Sequence, residues 1–195
     1  MFTGIIEEKG LVEALEKKKN LFVLQLSSCR VSQGTRIGDS IAIDGVCLTV
    51  VEIQKPHYLF FEIMKETIQT TTFQDLTPGC WVNLERALKA NSSVGGHFVS
   101  GHVDGVGTIR KILKKENYVE FRIFLNKKFR RFLARKGSVA VDGVSLTVGE
   151  LKAQFFSVQL IPYTLKTTTL GIKKEGQRVN IETDLLAKYV LQKGN

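Results

Sequence analysis

Short runs of β-branched and aromatic residues recur along the chain, and most are one strand long. The clearest in the first half are LFVLQL at 21–26, VCLTVV at 46–51 and YLFFEI at 58–63. In the second half they are YVEFRI at 118–123, VSLTV at 144–148 and FFSVQL at 155–160. Their composition and length predict strands. Asp44-Gly45 and Asp142-Gly143 each separate two apolar runs, which predicts a tight hairpin at each. Helical spacing is rarer. Phe129, Phe132 and Leu133 fall at i, i+3 and i+4, with basic residues opposite and Gly137 as a stop, which predicts a helix there. The run 185–191 predicts a short C-terminal helix. The threonine-rich stretches 67–72 and 164–169 read as plain strands, although their hydroxyls would also suit a polyol.

The pattern of the first half returns in the second. Residues 40–50 read SIAIDGVCLTV and residues 138–148 read SVAVDGVSLTV; eight of the eleven positions are identical. Glu52 then matches Glu150, ETIQTTT at 66–72 matches YTLKTTT at 163–169, and GCWVNLE at 79–85 matches GQRVNIE at 176–182. Gly4 and Gly10 fall on Gly101 and Gly107. The offset stays at 97 or 98 throughout. Ordered matches at one offset mark a tandem duplication. The expected division is an N-terminal domain over 1–90, a second over 97–184 and a helix or tail over 185–195, with a glycine- and serine-rich join at 87–96. About six strands per domain predict an all-β chain of two small closed antiparallel barrels, since closure removes exposed sheet edges.

The chain has 195 residues and a formal net charge of +9. Its basic residues are scattered in turns and on one polar face, so a solvated surface explains them better than a nucleic-acid groove. Nucleic-acid binding would also need aromatics interleaved with Lys/Arg, whereas Phe60 and Phe61 lie in an apolar run. Three cysteines, Cys29, Cys47 and Cys80, an odd count with no CxxC spacing, argue against a disulfide framework and against a zinc site. The N-terminus lacks the pattern of a signal peptide, and no run is long enough to span a bilayer. A cytoplasmic location without nucleic-acid or membrane partners is expected.

Candidate chemistry is sparse. His97 and His102 lie in GGHFVSGH at 95–102 without a third ligand at metal-binding spacing. They are either loop histidines with satisfied hydrogen bonds or polar groups facing a ligand, to which the flanking glycines allow close approach. Strand alternation sends Cys47 and Thr49 to one face and Leu48 to the other, and likewise Ser145 and Thr147 against Leu146. The simpler reading is a wet outer face. The alternative is a matched pair of polar patches, suited to two copies of one ligand.

These residues resemble one family. MFTGIIE at 1–7, GVCLTV at 45–50, MKET at 64–67, GGH at 95–97 with SGH at 100–102, DGVSLTV at 142–148 and Ile161-Pro162 are similar to the riboflavin synthases, in order and over essentially the whole chain. The resemblance implies two tandem six-stranded Greek-key barrels with a C-terminal helix, assembled as a homotrimer, without cofactor or metal. It implies transfer of a four-carbon unit between two identical molecules of 6,7-dimethyl-8-ribityllumazine, giving riboflavin and 5-amino-6-ribitylaminouracil. The N-terminal barrel of one subunit would face the C-terminal barrel of its neighbour. Lumazine synthase is the candidate protein partner.

By the same resemblance, the first half-site would use Gly4, Ile5, Ile6, Cys47, Leu48, Thr49, Glu62, Ile63, Met64, Lys65, Glu66 and Thr67. The second would use Gly101, His102, Val103, Lys136, Ser145, Leu146, Thr147, Ile161, Pro162, Tyr163, Thr164, Leu165 and Lys166. His102 is the candidate for proton transfer, Ser145 and Cys47 would touch the reacting rings, Asp184 would orient a neighbour, and Phe2 would close the site as an aromatic wall. Tyr163 stands where the family more usually has histidine. A non-catalytic lumazine-binding antenna protein of the same fold is the alternative.

Overall fold

The computed structural model describes residues 1–192; the last three residues of the expected 185–195 tail lie outside the described residues. Six strands, β1 (Glu8–Lys17), β2 (Leu21–Ser27), β3 (Ser40–Ile43), β4 (Val46–Gln54), β5 (Tyr58–Met64) and β6 (Trp81–Arg86), close into a barrel in the order β1-β2-β5-β4-β3-β6. The second half repeats this with β7 (Gly105–Lys114), β8 (Val119–Phe124), β9 (Ser138–Val141), β10 (Val144–Leu151), β11 (Phe156–Leu160) and β12 (Arg178–Thr183). Its order is the same once six is added to each strand number. Even the irregularities recur. Register shifts interrupt β1 between Val12 and Ala14 and β7 between Ile109 and Lys111. Such bulges bend a strand around a small barrel.

Alternation decides which side chains fill the barrels. In β4, Val46, Leu48 and Val50 are buried, while Cys47 is half-buried and Thr49 exposed. β10 repeats this with Val144, Leu146 and Val148 inside, Ser145 half-buried and Thr147 exposed. Each barrel thus has its own apolar core, Phe61 and Phe73 filling one, Phe121 and Phe156 the other. The Asp-Gly hairpins form as expected, with left-handed backbone at both turn residues (φ 43° and 81° at Asp44-Gly45, 45° and 78° at Asp142-Gly143).

Two expectations change. The threonine-rich stretches are not strands. They form α1 (Lys65–Thr70) and a 3₁₀ turn at Thr72–Asp75, and in the second barrel α3 (Pro162–Thr167) and a 3₁₀ turn at Thr169–Ile172. The threonine hydroxyls bond back four residues: Thr71 Oγ1 to the Thr67 carbonyl (2.6 Å) and Thr168 Oγ1 to that of Thr164 (2.7 Å). These local bonds let β-branched residues complete a helical turn, and the run has too few alternating apolar positions to join a sheet. The helix predicted around Phe129 is only four residues long, α2 (Lys127–Arg130), with turns beyond it. The C-terminal helix forms as α4 (Leu185–Gln192).

The barrels meet across a pseudo-twofold axis. Phe2 pairs with its repeat equivalent Val99 through Phe2 N to Val99 O (2.7 Å) and Val99 N to Phe2 O (3.0 Å). The two hairpins stack back to back, so close that a Cβ on Gly45 would lie 2.8 Å from the Gly143 nitrogen. Asn83 and Asn180 stitch the seam reciprocally. Asn83 Nδ2 donates to the Asp142 carbonyl (2.8 Å) and Asn180 Nδ2 to that of Asp44 (2.9 Å). Their amide oxygens accept from Thr169 N (2.7 Å) and Thr72 N (2.8 Å) of the opposite barrel.

Candidate active site: two reciprocal grooves

After Phe2 and Val99 pair, the two leading segments cross, and each runs onto the other barrel. The Gly4 carbonyl accepts from Ser145 N at 2.8 Å, and the Gly101 carbonyl accepts from Cys47 N at 2.9 Å. Ile6 packs against the core of the second barrel and Val103 against that of the first. This exchanges the expected grouping: Gly4, Ile5 and Ile6 belong with the Ser145 site, while Gly101, His102 and Val103 belong with the Cys47 site. The symmetric seam imposes the exchange, because antiparallel pairing at the axis points each segment away from its own barrel.

A buried carboxylate holds each crossing. Glu85 accepts from Thr3 N (2.7 Å), Thr3 Oγ1 (2.9 Å) and Gly4 N (2.9 Å). Glu182 accepts from Ser100 N (2.6 Å), Ser100 Oγ (2.7 Å) and Gly101 N (2.9 Å). Burial raises the pKa of both, against the lowering effect of those hydrogen bonds.

Two concavities lie where these segments reach the strands. The larger, about 870 Å³, lies on the second barrel. It gathers Ile5, Gly96, Lys136, Ser145, Leu146, Thr147, Ile161 and Thr164 from the candidate region, together with Glu120, Arg135 and Gln159. Lys136 holds a left-handed backbone (φ 65°) where the equivalent residue of the first barrel is Gly38. A left-handed backbone is uncommon for a residue with a Cβ, and here it sits at the lip of the cavity. The smaller, about 210 Å³, lies on the first barrel and gathers Cys47, Glu66, Thr67, Gly101, His102 and Val103.

The other expected residues surround these grooves or stand behind them. Thr49, Glu62, Lys65, Pro162 and Tyr163 are exposed, Leu165 packs on the second core, and Lys166 is exposed on α3. Met64 stands 69% exposed, as open as a surface lysine although apolar. Leu48 and Ile63 point into the first core, so only their backbone is available to a ligand. Phe2 is not an aromatic wall. Its ring is fully buried between the barrels with Ala42, Val99 and Ala140, and it backs Gly101, whose added Cβ would lie 3.0 Å from it. Asp184 accepts from Leu186 N (3.0 Å) at the start of α4, and its charge opposes the effect of burial on His97. His102 is exposed at the Cys47 groove, whereas His97 is bonded to Ser145, Nδ1 to Oγ at 2.7 Å.

Glu85 and Glu182 are thus the residues at the grooves that sequence reasoning missed, and His97, a candidate from the sequence, gains its partner Ser145 only in the fold. The two glutamates left a signal: a charged residue repeated inside an apolar strand motif, VNLE and VNIE. The bond from His97 to Ser145 left none. Among the described residues, no group of His, Cys, Asp and Glu is arranged to hold a metal ion.

Comparison with known proteins fits this geometry. A family model described as the lumazine binding domain matches twice, over residues 3–87 and 100–184. The riboflavin synthase of Bacillus subtilis (strain 168) is 43% identical over 190 residues, 97% of this chain and 88% of that protein. The chain belongs to the riboflavin synthase family. Another riboflavin synthase, from Mycobacterium tuberculosis (strain H37Rv), is 43% identical over 97% of this chain and 96% of its own. That of Escherichia coli (strain K12) is 42% identical over 94% and 87%. Among solved structures, LumP complexed with riboflavin superposes with a TM-score of 0.87 at 27% identity, covering 94% of this chain and 99% of that one. LumP complexed with 6,7-dimethyl-8-(1'-D-ribityl) lumazine gives 0.84 at 26%.

Proposed function

We propose that the chain is a riboflavin synthase, a transferase that converts two molecules of 6,7-dimethyl-8-ribityllumazine into riboflavin and 5-amino-6-ribitylaminouracil. One lumazine gives up its C6, its C7 and their two methyl carbons. The other receives these four carbons on its own two methyl carbons, which closes the xylene ring and turns that lumazine into riboflavin. The single observation that carries this reading is the pair of reciprocal grooves, one on each barrel, built from equivalent residues: two like sites suit a reaction that consumes two like molecules.

Backbone groups of the crossing segments and of β4 and β10 meet the pteridine edge. Thr49, Glu62, Glu66 and Thr67 hold the ribityl chain in the first site; Lys136, Thr147, Tyr163, Thr164 and Lys166 hold it in the second. The C7 methyl is acidic because its anion delocalises into the ring, so fixing two rings in register supplies much of the acceleration. Orientation of this kind is worth roughly 7–11 kcal/mol. His102, exposed at the Cys47 groove, is the group that exchanges the methyl proton.

The two grooves lie on separate barrels, so the reading also requires a neighbouring subunit to bring unlike grooves together. Ile5, Met64, Ile161 and Tyr163 around them, and Leu186, Tyr189 and Val190 on α4, leave apolar surface for such a contact. A homotrimer in the cytoplasm is the assembly proposed; no helix among the described residues is long and apolar enough to cross a membrane.

The test is to mix the protein with the lumazine and follow riboflavin absorbance. Riboflavin and the pyrimidine should appear in equal amounts, one of each per two lumazines consumed. Tight binding without turnover would overturn the enzyme reading in favour of an antenna protein. The polar pairs Cys47/Thr49 and Ser145/Thr147, present on both barrels, support the enzyme.

A further inference from the structure

His97 does not line the larger cavity; it stands behind Ser145, which does. Its Nδ1 lies 2.7 Å from Ser145 Oγ, and its Nε2 is buried with no hydrogen-bond partner. That orphan atom selects the tautomer. With the proton on Nε2, an N–H would be buried unpaired; with the proton on Nδ1, only a bare lone pair is left inside. Buried unpaired N–H groups are the rarer and costlier case. The ring therefore donates from Nδ1 to Ser145 Oγ, which leaves the serine's own O–H proton free for another acceptor, and Ser145 lines the cavity. Burial lowers the pKa of His97, with the Asp184 charge opposing, so the neutral ring is the working form.

The first barrel has nothing comparable. The equivalent of Ser145 is Cys47, a free thiol backed by the Gly101 segment and, behind that, the Phe2 ring. A thiol is a weak donor, and no imidazole orients it. In the second barrel the corresponding space is closed by Gly4 and Gly96. A Cβ on Gly96 would lie 2.7 Å from Ser145 Oγ, so glycine at 96 is what lets the histidine segment approach. His97 N is itself tied to the Thr3 carbonyl at 3.1 Å, which fixes the ring to the crossing segment.

We propose that His97 is a positioning residue that fixes the Ser145 hydroxyl as a hydrogen-bond donor toward the lumazine bound on the second barrel, making the two half-sites chemically unequal. This rests on the riboflavin synthase reading. The second site then carries an oriented O–H donor that steadies charge gathering on its ring during carbon transfer, and the first carries only a soft thiol.

The experiment is a double-mutant cycle on single-turnover conversion of the lumazine by the full chain, with His97→Ala, His97→Asn and Ser145→Ala, alone and combined. The side-chain amide introduced by His97→Asn reaches where Nδ1 stands. His97→Ala should lower the rate at saturating substrate by about tenfold, as expected for one lost orienting hydrogen bond, with the Michaelis constant changed less than about threefold. In the Ser145→Ala background the same change should cost less than about twofold, and His97→Asn should restore at least half the wild-type rate. Should His97→Ala fail to fold, His97→Gln, whose amide overshoots the Nδ1 position, carries the same comparison with His97→Asn. A full tenfold loss persisting without Ser145, or an asparagine variant no better than the alanine or glutamine one, overturns the proposal while leaving the synthase reading intact. A wild-type chain that makes no riboflavin overturns both.

Discussion

The reciprocal crossing makes a sharp prediction for Gly4→Ala. Gly4 has φ +76°, and an added Cβ would lie 2.6 Å from Ser145 Cβ and 2.7 Å from Ser145 N. The left-handed backbone costs an L-residue about 1–2 kcal/mol. Forcing a methyl into atoms of β10 that cannot yield costs about 1–3 kcal/mol more. The sum, about 2–5 kcal/mol, is within what a domain can lose and still fold. The cheaper escape is for the segment to lift from β10, breaking the 2.8 Å Ser145 N to Gly4 O bond and moving Ile5 off the larger cavity. Ligand affinity there should fall by at least about tenfold, the equivalent of 1.4 kcal/mol. The Cys47 groove, built with Gly101 instead, should keep its ligand. Alkylation of Cys47, read by peptide mass mapping with and without riboflavin, separates the sites. Riboflavin should still protect Cys47 in Gly4→Ala and should fail to protect it in Gly101→Ala, whose Cβ would sit 2.4 Å from Cys47 Cβ. Loss of Cys47 protection in Gly4→Ala, with protection kept in Gly101→Ala, would refute the crossing.

Other outcomes follow from the same geometry. Glu85→Gln replaces one of two acceptor oxygens that face Thr3 and Gly4 with a donor, so thermal denaturation should show a loss of about 1–3 kcal/mol, and Glu182→Gln the same. Ser145→Ala and His102→Gln should each slow single-turnover riboflavin formation at least about tenfold, with ligand affinity changed little; unchanged rates would remove both from the chemistry. Lys136→Gly should relieve the left-handed backbone and raise the melting temperature, corresponding to as much as about 1–2 kcal/mol, while weakening lumazine binding. At the seam, burial first and the Asp142 charge second push the pKa of Asp44 up to about 8, although Lys173 opposes this from beside Asp142 (2.9 Å). The folded state then holds a proton that the unfolded chain, with an aspartate pKa of about 4, releases. The stability gained from neutral Asp44 is complete below about pH 4 and lost as pH rises toward 8, at up to about 1.4 kcal/mol per pH unit. Asp44→Asn should flatten that part of the stability–pH curve in denaturant titrations; an unchanged slope would show that Asp44 is ionised in the fold.

Much of this architecture was legible in the residues because duplication writes every signal twice. Strand alternation at 46–50 and 144–148 put Cys47 and Ser145 on the outer face with Leu48 and Leu146 inside, and both barrels follow it. The Asp-Gly turns were legible because that dipeptide favours the type I′ turn, with left-handed backbone at both residues, that closes a two-residue hairpin. The threonine stretches misled because β propensity reports side-chain shape, whereas the outcome depended on i−4 hydroxyl bonds at the end of a strand. The crossing of the leading segments left no local trace. Gly4 and Gly101 announce a special backbone, but which barrel they touch is settled by the seam, through contacts such as Phe2 to Val99 that join residues nearly a hundred positions apart. The His97–Ser145 bond is hidden for the same reason: no periodicity encodes a side-chain contact across 48 residues.

The most direct test is the number of ligands held per chain. Titrating the assembled protein calorimetrically with a lumazine analogue that lacks the C7 methyl, and so binds without reacting, should saturate at two molecules per chain. Saturation at one, with Cys47→Ala and Ser145→Ala abolishing the same single event, would contradict the account of two half-sites.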